Sequence, residues 1–522
     1  MKNIHFSDIQ TNSKIIKAKE IQVGLSSTPV KYYRHGWQSW SLAAWTDVAS
    51  AFPMQKPISF HPYQTDAVYA RESNPHGSWL GAVEYEDGNI LLVGALATDT
   101  HVFLLKDQLV GRSEAGEVEW FIAYGNETQV FDEYVKQLGI RFGVTAKTHV
   151  PRVWCSWYSL YMEINEGVLH QIFDLLGDLP FDVIQVDDGW QKNIGDWQAN
   201  EKFPSGMASL AEKIKSTGRR AGLWLAPLLV SKSSQLFKEH SNWLLRNDGG
   251  ALVSAGYNYW GNNLYALDVT HPDVIVWLTS LMKQVRAWGF DYIKLDFLYA
   301  GAMKGVRYVD MPREAAYRES LRVMREAMGM DAFLLTCGTP ILPALGFSDA
   351  IRIGPDVSHE WENHLYEHLL QNFSSPGTRN AIRTVVNRLW LKPLLHIDPD
   401  VEYFVSRENT LEEEHKKQLQ DLALICNFKA TSDLPHWMTD REREQLRGFL
   451  LGEPDVSKIS RYQYKIDGRI VDFSSSVELV KPPKGFNALL GVIMGWAGNI
   501  KLFIRITLSM DNAAKKKRAS RI

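Results

Sequence analysis

Cysteine is scarce in this 522-residue chain: Cys155, Cys337 and Cys426 are the only three. An odd, widely spaced set offers no disulfide framework and no zinc-ligand spacing, and it fits a reducing compartment. Long apolar runs are missing too. The stretch Ala488–Ala497 is ten residues, too short to span a bilayer, and Asn499, Lys501 and Arg505 interrupt the apolar character beyond it, so a buried strand is expected there. Met1–Gln10 lacks the apolar core of a secretory signal, which gives a cytoplasmic address and no membrane partner as the expectation. Excess charge of one sign is also lacking: 57 Lys and Arg oppose 60 Asp and Glu, a net −3, so nothing demands a nucleic-acid partner. The basic cluster Lys515–Arg518 reads as a solvated terminus. No G-x-G-x-x-G or Walker loop follows any strand candidate, and no G-x-S-x-G marks a serine nucleophile.

What the chain does have is tryptophan, 18 of them, and 11% aromatic residues overall. Flat rings with a polar edge suit the apolar face of a pyranose, although they also fill ordinary cores. Hydrophobic residues at 45% allow a large core.

Three regions can be distinguished. Residues 1–148 are strand-rich, with short apolar runs such as Ile90–Val93 and Val118–Ala123 broken by Gly, Asn and Asp, and with a first helical period only at Val130–Leu138. From 149 to 452, buried-strand runs alternate with helices. The strand candidates are Val153–Trp157, Val183–Val186, Ala221–Leu225, Tyr292–Leu295, Phe333–Thr336 and Ala350–Ile353. The helix candidates are Ser209–Ser216, Pro272–Trp288 and Arg313–Met328. Such alternation predicts an α/β parallel sheet. Carboxylates, aromatics and Arg gather at strand ends, where a (β/α)8 barrel places its reacting groups, so a barrel is favoured over an open sheet. Residues 453–522 read as a small C-terminal antiparallel β-domain with strand candidates Tyr462–Ile466 and Val477–Val480 and a basic tail.

Three strand ends carry the chemistry. In Tyr292-Ile-Lys-Leu-Asp296, the period of two puts Lys294 and Asp296 on one side, and the cation favours an ionised carboxylate, as a nucleophile or metal ligand needs; a self-satisfied ion pair fits equally. Asp187 and Asp188 end Val183–Val186 side by side, fitting two vicinal hydroxyls, a divalent cation or a plain helix cap. Asp356 follows Arg352-Ile-Gly-Pro, an acid held in a restricted turn with a cation four residues earlier. Two carboxyl groups flanking one bond are the requirement of glycoside hydrolysis. Metal chemistry is not expected: His359-Glu-Trp-Glu-Asn-His364 has one residue too many for H-E-x-x-H, so its two His would not share a helix face, and no cofactor is foreseen.

At these residues the chain resembles the α-galactosidases of glycoside hydrolase family 36, which share a clan with family 27. The matching stretches are Gly36-Trp-Gln-Ser-Trp40, Trp154-Cys-Ser-Trp-Tyr158, Val186-Asp-Asp-Gly-Trp190, Leu223-Trp-Leu-Ala-Pro227, Lys294-Leu-Asp296-Phe-Leu, Thr336-Cys-Gly-Thr-Pro340 and Arg352-Ile-Gly-Pro-Asp356. The resemblance implies an N-terminal β-sandwich, a central (β/α)8 barrel and a C-terminal β-domain. It implies a retaining double displacement in which Asp296 matches the nucleophile and Asp356 the acid/base. Asp187 and Asp188 match acids that bind O4 and O6 of a terminal galactose, and Lys294 and Arg352 match hydroxyl-binding residues. Cys337 lies in the matching loop near the sugar. Trp157, Tyr158 and Trp224 match subsite walls, and Trp40 matches an aromatic reaching in from the N-terminal domain. The expected substrate is a small oligosaccharide of raffinose or melibiose type. An α-galactosyl transglycosylase and an α-N-acetylgalactosaminidase stay open as alternatives, as does, in another class, a non-catalytic sugar-binding barrel. Oligomeric state stays open too.

Overall fold

The computed structural model describes residues 1–10, 12–50, 65–144, 149–259, 262–481 and 485. The apolar run Ala488–Ala497 and the tail Lys515–Arg518 lie outside them. Among the described residues, no helix is long and apolar enough to cross a membrane.

In the N-terminal region, alternation of apolar and polar residues gives two mainly antiparallel sheets, one of five strands and one of six. Ile21, Val23, Val102 and Leu104 from the first sheet and Val83, Leu91, Val93 and Trp120 from the second share one buried cluster, so the sheets face each other as a sandwich. Helix Glu127–Phe142 comes next, opened by Asn126, whose side chain accepts from Thr128 N–H, and closed by Gly143 in the left-handed region. It covers the expected period at Val130–Leu138 and extends it at both ends.

The central region builds an eight-stranded parallel sheet in sequence order: Val153–Cys155, Val183–Val186, Arg220–Leu225, Tyr292–Leu295, Phe333–Thr336, Ala350–Arg352, His396–Asp398 and Ala430–Thr431. We number these barrel strands 1 to 8. Strand 1 pairs with both strand 2 and strand 8, as ring closure requires. Between strands 7 and 8 the seam is bridged just past strand 7: Glu402 N–H donates to Ala430 O at 2.9 Å, and Thr431 Oγ1 to Glu402 O at 2.8 Å. Helix Pro272–Ala287 starts with Pro at its first turn and a His271 cap, and it buries Val274, Leu278, Leu281, Met282 and Val285.

Helix Arg313–Met328 ties the two regions together. Glu314 is buried and accepts from Trp37 Nε1 and Trp79 Nε1, each at 2.8 Å, and from Asp99 N–H at 2.6 Å. Arg313 reaches Asp66 of the same N-terminal region at 2.5 Å. Burial pushes the Glu314 carboxyl up to about 8. Removing a partner from such a buried, multiply bonded acid is a large cost, on the order of 3–5 kcal/mol.

Past the barrel, Val456–Lys458, Gln463–Ile466 and Arg469–Asp472 form a three-stranded antiparallel sheet. The strand expected at Val477–Val480 is not one. Asp472 Oδ1 accepts from Ser474 N–H at 2.8 Å and starts a helical turn over Ser474–Val477. A short polar side chain bonding the backbone two residues on offers the chain an alternative to extension, and Val477 is drawn into that turn.

Candidate active site

Strand 4 ends in Lys294, Leu295 and then Asp296, whose backbone N–H still bonds Leu225 O of strand 3 at 2.8 Å. The next residue, Phe297, has φ +54°, a left-handed conformation that a bulky side chain rarely adopts. The twist aims Phe297 N–H back at Asp296 Oδ1, 2.7 Å away. Trp224, from the neighbouring strand 3, donates Nε1–H to Asp296 Oδ2 at 3.0 Å. Both oxygens of a buried carboxylate are therefore held by donors on rigid elements. Burial pushes the Asp296 carboxyl up, and the charge of Asp356 adds to the rise. Lys294, Trp224 and the Cys337 thiol act against it, and the net direction is upward.

Lys294 does not bond Asp296. Its Nζ crosses the barrel interior to Asp187 Oδ2 at 2.9 Å, past the end of strand 2, with both groups buried. Burial alone would lower the Lys294 ammonium, but Asp187 first and Asp296 second outweigh it and hold it well above its ordinary value. Asp187 Oδ2 also accepts from Gln185 Nε2 at 2.6 Å, and Asp187 N–H donates to Ser156 Oγ at 2.9 Å. Asp188 turns to the loop beyond strand 2: its Oδ1 accepts from Gln191 Nε2 at 2.6 Å. Both acids are buried.

On the far side, Arg352 of strand 6 is fully buried and points one terminal nitrogen at Asp356 Oδ1, 2.6 Å away. The same nitrogen lies 2.7 Å from Asp400 Oδ2 and 3.1 Å from Tyr158 OH. Tyr158 donates its hydroxyl to Asp400 Oδ2, and Val357 N–H donates to that oxygen at 2.9 Å. Asp356 itself is the open member of the set, its side chain 39% exposed.

Aromatic and sulfur groups close the site between the two acids. The loop after strand 5 carries Cys337, whose buried thiol is pushed well up by burial and next by Asp296, with a smaller push from Asp356. Trp40 comes in from the N-terminal region, donates Nε1–H to Cys337 Sγ at 3.3 Å, and packs edge-on against Phe297 and Tyr299. Its loop is stitched to the barrel: Ser39 N–H bonds Thr339 O at 2.9 Å, Gly354 N–H bonds Ser39 O at 2.9 Å, and Arg388 donates to Gly36, Gln38 and Ser39 carbonyls. Gly338 must be glycine there. Its φ is +55°, and a Cβ would lie 3.0 Å from the Trp40 ring and 3.1 Å from Phe297 Cα. Trp157 lies on the short helix Trp157–Leu160 after strand 1, half-buried against Tyr161.

The residues singled out in the sequence thus gather at the C-terminal ends of strands 1 to 6, joined by Trp40. Asp400 was not among them. The signal was present in His396-Ile-Asp398-Pro-Asp400, a further strand end followed by acids, but with Ile397 its one apolar residue the strand forms no apolar run to stand out. The cluster Glu362, His364 and His368 was also not foreseen: its ligand atoms lie within 4.8 Å of one another, the His being paired at i and i+4 rather than as His359 with His364. Glu362 Oε2 there already takes Arg379 at 3.1 Å.

Comparisons with known proteins place this arrangement. Residues 121–330 match the Melibiase family model. The α-galactosidase TtGalA of Thermus thermophilus, solved in complex with p-nitrophenyl α-D-galactopyranoside, superposes with a TM-score of 0.84 at 41% identity, covering 88% of this chain and 94% of that one. The family 36 α-galactosidase AgaA of Geobacillus stearothermophilus shares the fold, with a TM-score of 0.56 at 14% identity over 86% of this chain and 66% of that one. In sequence, α-galactosidase 2 of Pediococcus pentosaceus is 26% identical over 211 residues, 38% of this chain; the match spans little more than a quarter of that relative's length, 28%. A relative as similar as TtGalA over nearly its whole length decides the matter: the chain belongs to the family 36 α-galactosidases.

Proposed function

We propose that the protein is a retaining exo-α-galactosidase that releases terminal α-linked galactose from small oligosaccharides of raffinose and melibiose type. The observation that carries this reading is the pair of unlike carboxylates. Asp296 is dry and held at both oxygens, while Asp356 is solvent-facing and paired with Arg352; the charges of both act on the Cys337 thiol. Asp296 attacks the anomeric carbon and forms a glycosyl-aspartate. Asp356 protonates the leaving oxygen, then takes a proton from the water that releases the sugar. A nucleophile gains from fixed donors and no water, and an acid/base needs access to water.

Asp187 and Asp188 are assigned to O4 and O6 of the sugar, with Lys294 locking Asp187 in place. Acids set at the axial O4 of galactose favour it over glucose, whose equatorial O4 would leave acceptor positions on them unfilled in a dry pocket. Trp157, Tyr158, Trp224 and Trp40 supply ring faces and edges around the sugar. The N-terminal region, residues 1–148, lends Trp40 to a barrel spanning 149–452. The solved complexes of relatives support the substrate class: TtGalA was captured with stachyose and Geobacillus AgaA with raffinose.

A panel of p-nitrophenyl α-glycosides of galactose, glucose and N-acetylgalactosamine, assayed with the wild type and Asp296→Ala, tests the reading. The galactoside is the expected substrate, and the substitution is expected to cost at least ~10³-fold in turnover. Azide is expected to restore part of the rate and to yield a galactosyl azide of inverted configuration. An Asp296→Ala enzyme with unchanged turnover overturns the assignment, and preference for N-acetylgalactosamine overturns the sugar.

A further inference from the structure

We propose that Asp400 is a positioning residue for the acid/base, holding Asp356 and sharing with it the single charge of Arg352. The inference rests on the reading of Asp356 as the proton donor and adds a third acid to that machinery.

The geometry is specific. One Arg352 nitrogen stands between two carboxylates, 2.6 Å from Asp356 Oδ1 and 2.7 Å from Asp400 Oδ2. Asp400 Oδ2 also accepts from Val357 N–H, the residue next to Asp356, so it grips the very backbone that presents the acid. Tyr158 OH donates to Asp400 and accepts from Arg352, closing a ring of contacts between strands 1, 6 and 7. Asp400 is itself held in an uncommon backbone state, φ +87°, with its N–H on Asp398 Oδ1 at 2.8 Å. A non-glycine residue in that region persists only where its surroundings impose it.

The charges facing Asp400 decide how the ring titrates. Arg352 and the Tyr158 hydroxyl favour its anion; Asp356 and Asp398 oppose it, and Glu402 and Tyr403 lie near enough to feel its charge. Burial is the largest influence and raises the Asp400 carboxyl to about 7. Asp356 and Asp400 draw on the same Arg352 nitrogen, and Asp400 also holds the backbone N–H next to Asp356, so the ring fixes where the Asp356 carboxyl stands relative to a leaving oxygen. Replacing the Asp400 carboxylate with an amide weakens the acceptor shared by Arg352, Tyr158 and Val357 N–H and loosens that placement.

Asp400→Asn tests this on three substrates of the otherwise intact enzyme: melibiose, whose leaving sugar needs protonation; p-nitrophenyl α-galactoside, which needs it less; and α-galactosyl fluoride, which scarcely needs it. The expected loss in kcat/KM is roughly 10²-fold on melibiose, within the range of general acid catalysis, and only a few-fold on the fluoride. Tyr158→Phe, which removes one hydroxyl from the ring, is expected to show the same substrate pattern at smaller size, and carries the test should Asp400→Asn lack a cooperative melt. An equal loss on all three substrates makes Asp400 a structural residue and overturns the proposal. If Asp356→Asn shows the leaving-group pattern and the Asp400 and Tyr158 variants do not, this inference alone fails. If Asp356→Asn lacks the pattern too, the parent reading falls with it.

Discussion

The two sides of the barrel mouth are built to opposite rules. On the strand 3–4 side, Asp296 is 7% exposed, both its oxygens are fixed by N–H donors, and the cation nearest in sequence is turned away to Asp187. On the strand 6–7 side, Asp356 is 39% exposed at its side chain and contacts the guanidinium with one oxygen. Dryness strengthens every fixed dipole around the first acid and removes competing water. Openness lets the second exchange a proton with solvent or a departing alcohol. The contrast lies in packing, not in residue type, and it is this difference that the proposed mechanism turns into two roles.

Truncating each acid tests that division. Asp356→Ala is expected to lower kcat/KM on melibiose by roughly 10³-fold and on p-nitrophenyl α-galactoside by much less, because phenolate leaves without help. Azide is expected to rescue it with a galactosyl azide of retained configuration, opposite to the product from Asp296→Ala, as determined by NMR. Azide products of the same configuration from both variants would erase the distinction between the two sides.

Lys294→Met probes the dry side alone. The substitution strands Asp187 without its buried partner, at a cost of about 3–5 kcal/mol in stability read from denaturant unfolding. It also removes the charge that lowers Asp296. The Asp296 proton affinity therefore rises, the nucleophile is neutralised at a higher pH, and the acid limb of kcat/KM moves up while the basic limb stays. Movement of the basic limb instead would place Lys294 on the wrong side of the comparison.

Much of this was legible in the sequence, for reasons that differ along the chain. Strands 2, 4 and 5 match their runs residue for residue, because a strand buried on both faces leaves a mostly apolar run, interrupted here by Gln185, Lys294 and Thr336. Strand 7 at His396–Asp398 and strand 8 at Ala430–Thr431 left no such trace, the first holding one apolar residue and the second being two residues long, and Asp400 was missed with them. Of the two readings of Lys294, the structure favours the cation that supports an ionised Asp296 over a self-satisfied Lys294–Asp296 pair: its Nζ reaches across the interior to Asp187, while its charge still favours the Asp296 anion. The family motifs located Asp296 and Asp356, but only the fold separates a dry acid from a wet one.

The smallest expected effect is also the most local. Gly338 backs the Asp296 side: a methyl group there meets the Trp40 ring and Phe297 Cα. Gly338→Ala is strained twice, by a positive φ and by these contacts, and a cost of about 1–3 kcal/mol is expected, seen as a lowered Tm. Phe297 is the residue whose N–H fixes Asp296 Oδ1, so a shift of its Cα by a few tenths of an ångström lengthens that bond. Attack by the nucleophile then slows for every substrate alike, several-fold, whatever the leaving group. A loss that instead grows as the leaving group worsens would mean that the wall formed by Trp40, Gly338 and Phe297 serves the proton donor, and the two sides would have to be redrawn as one.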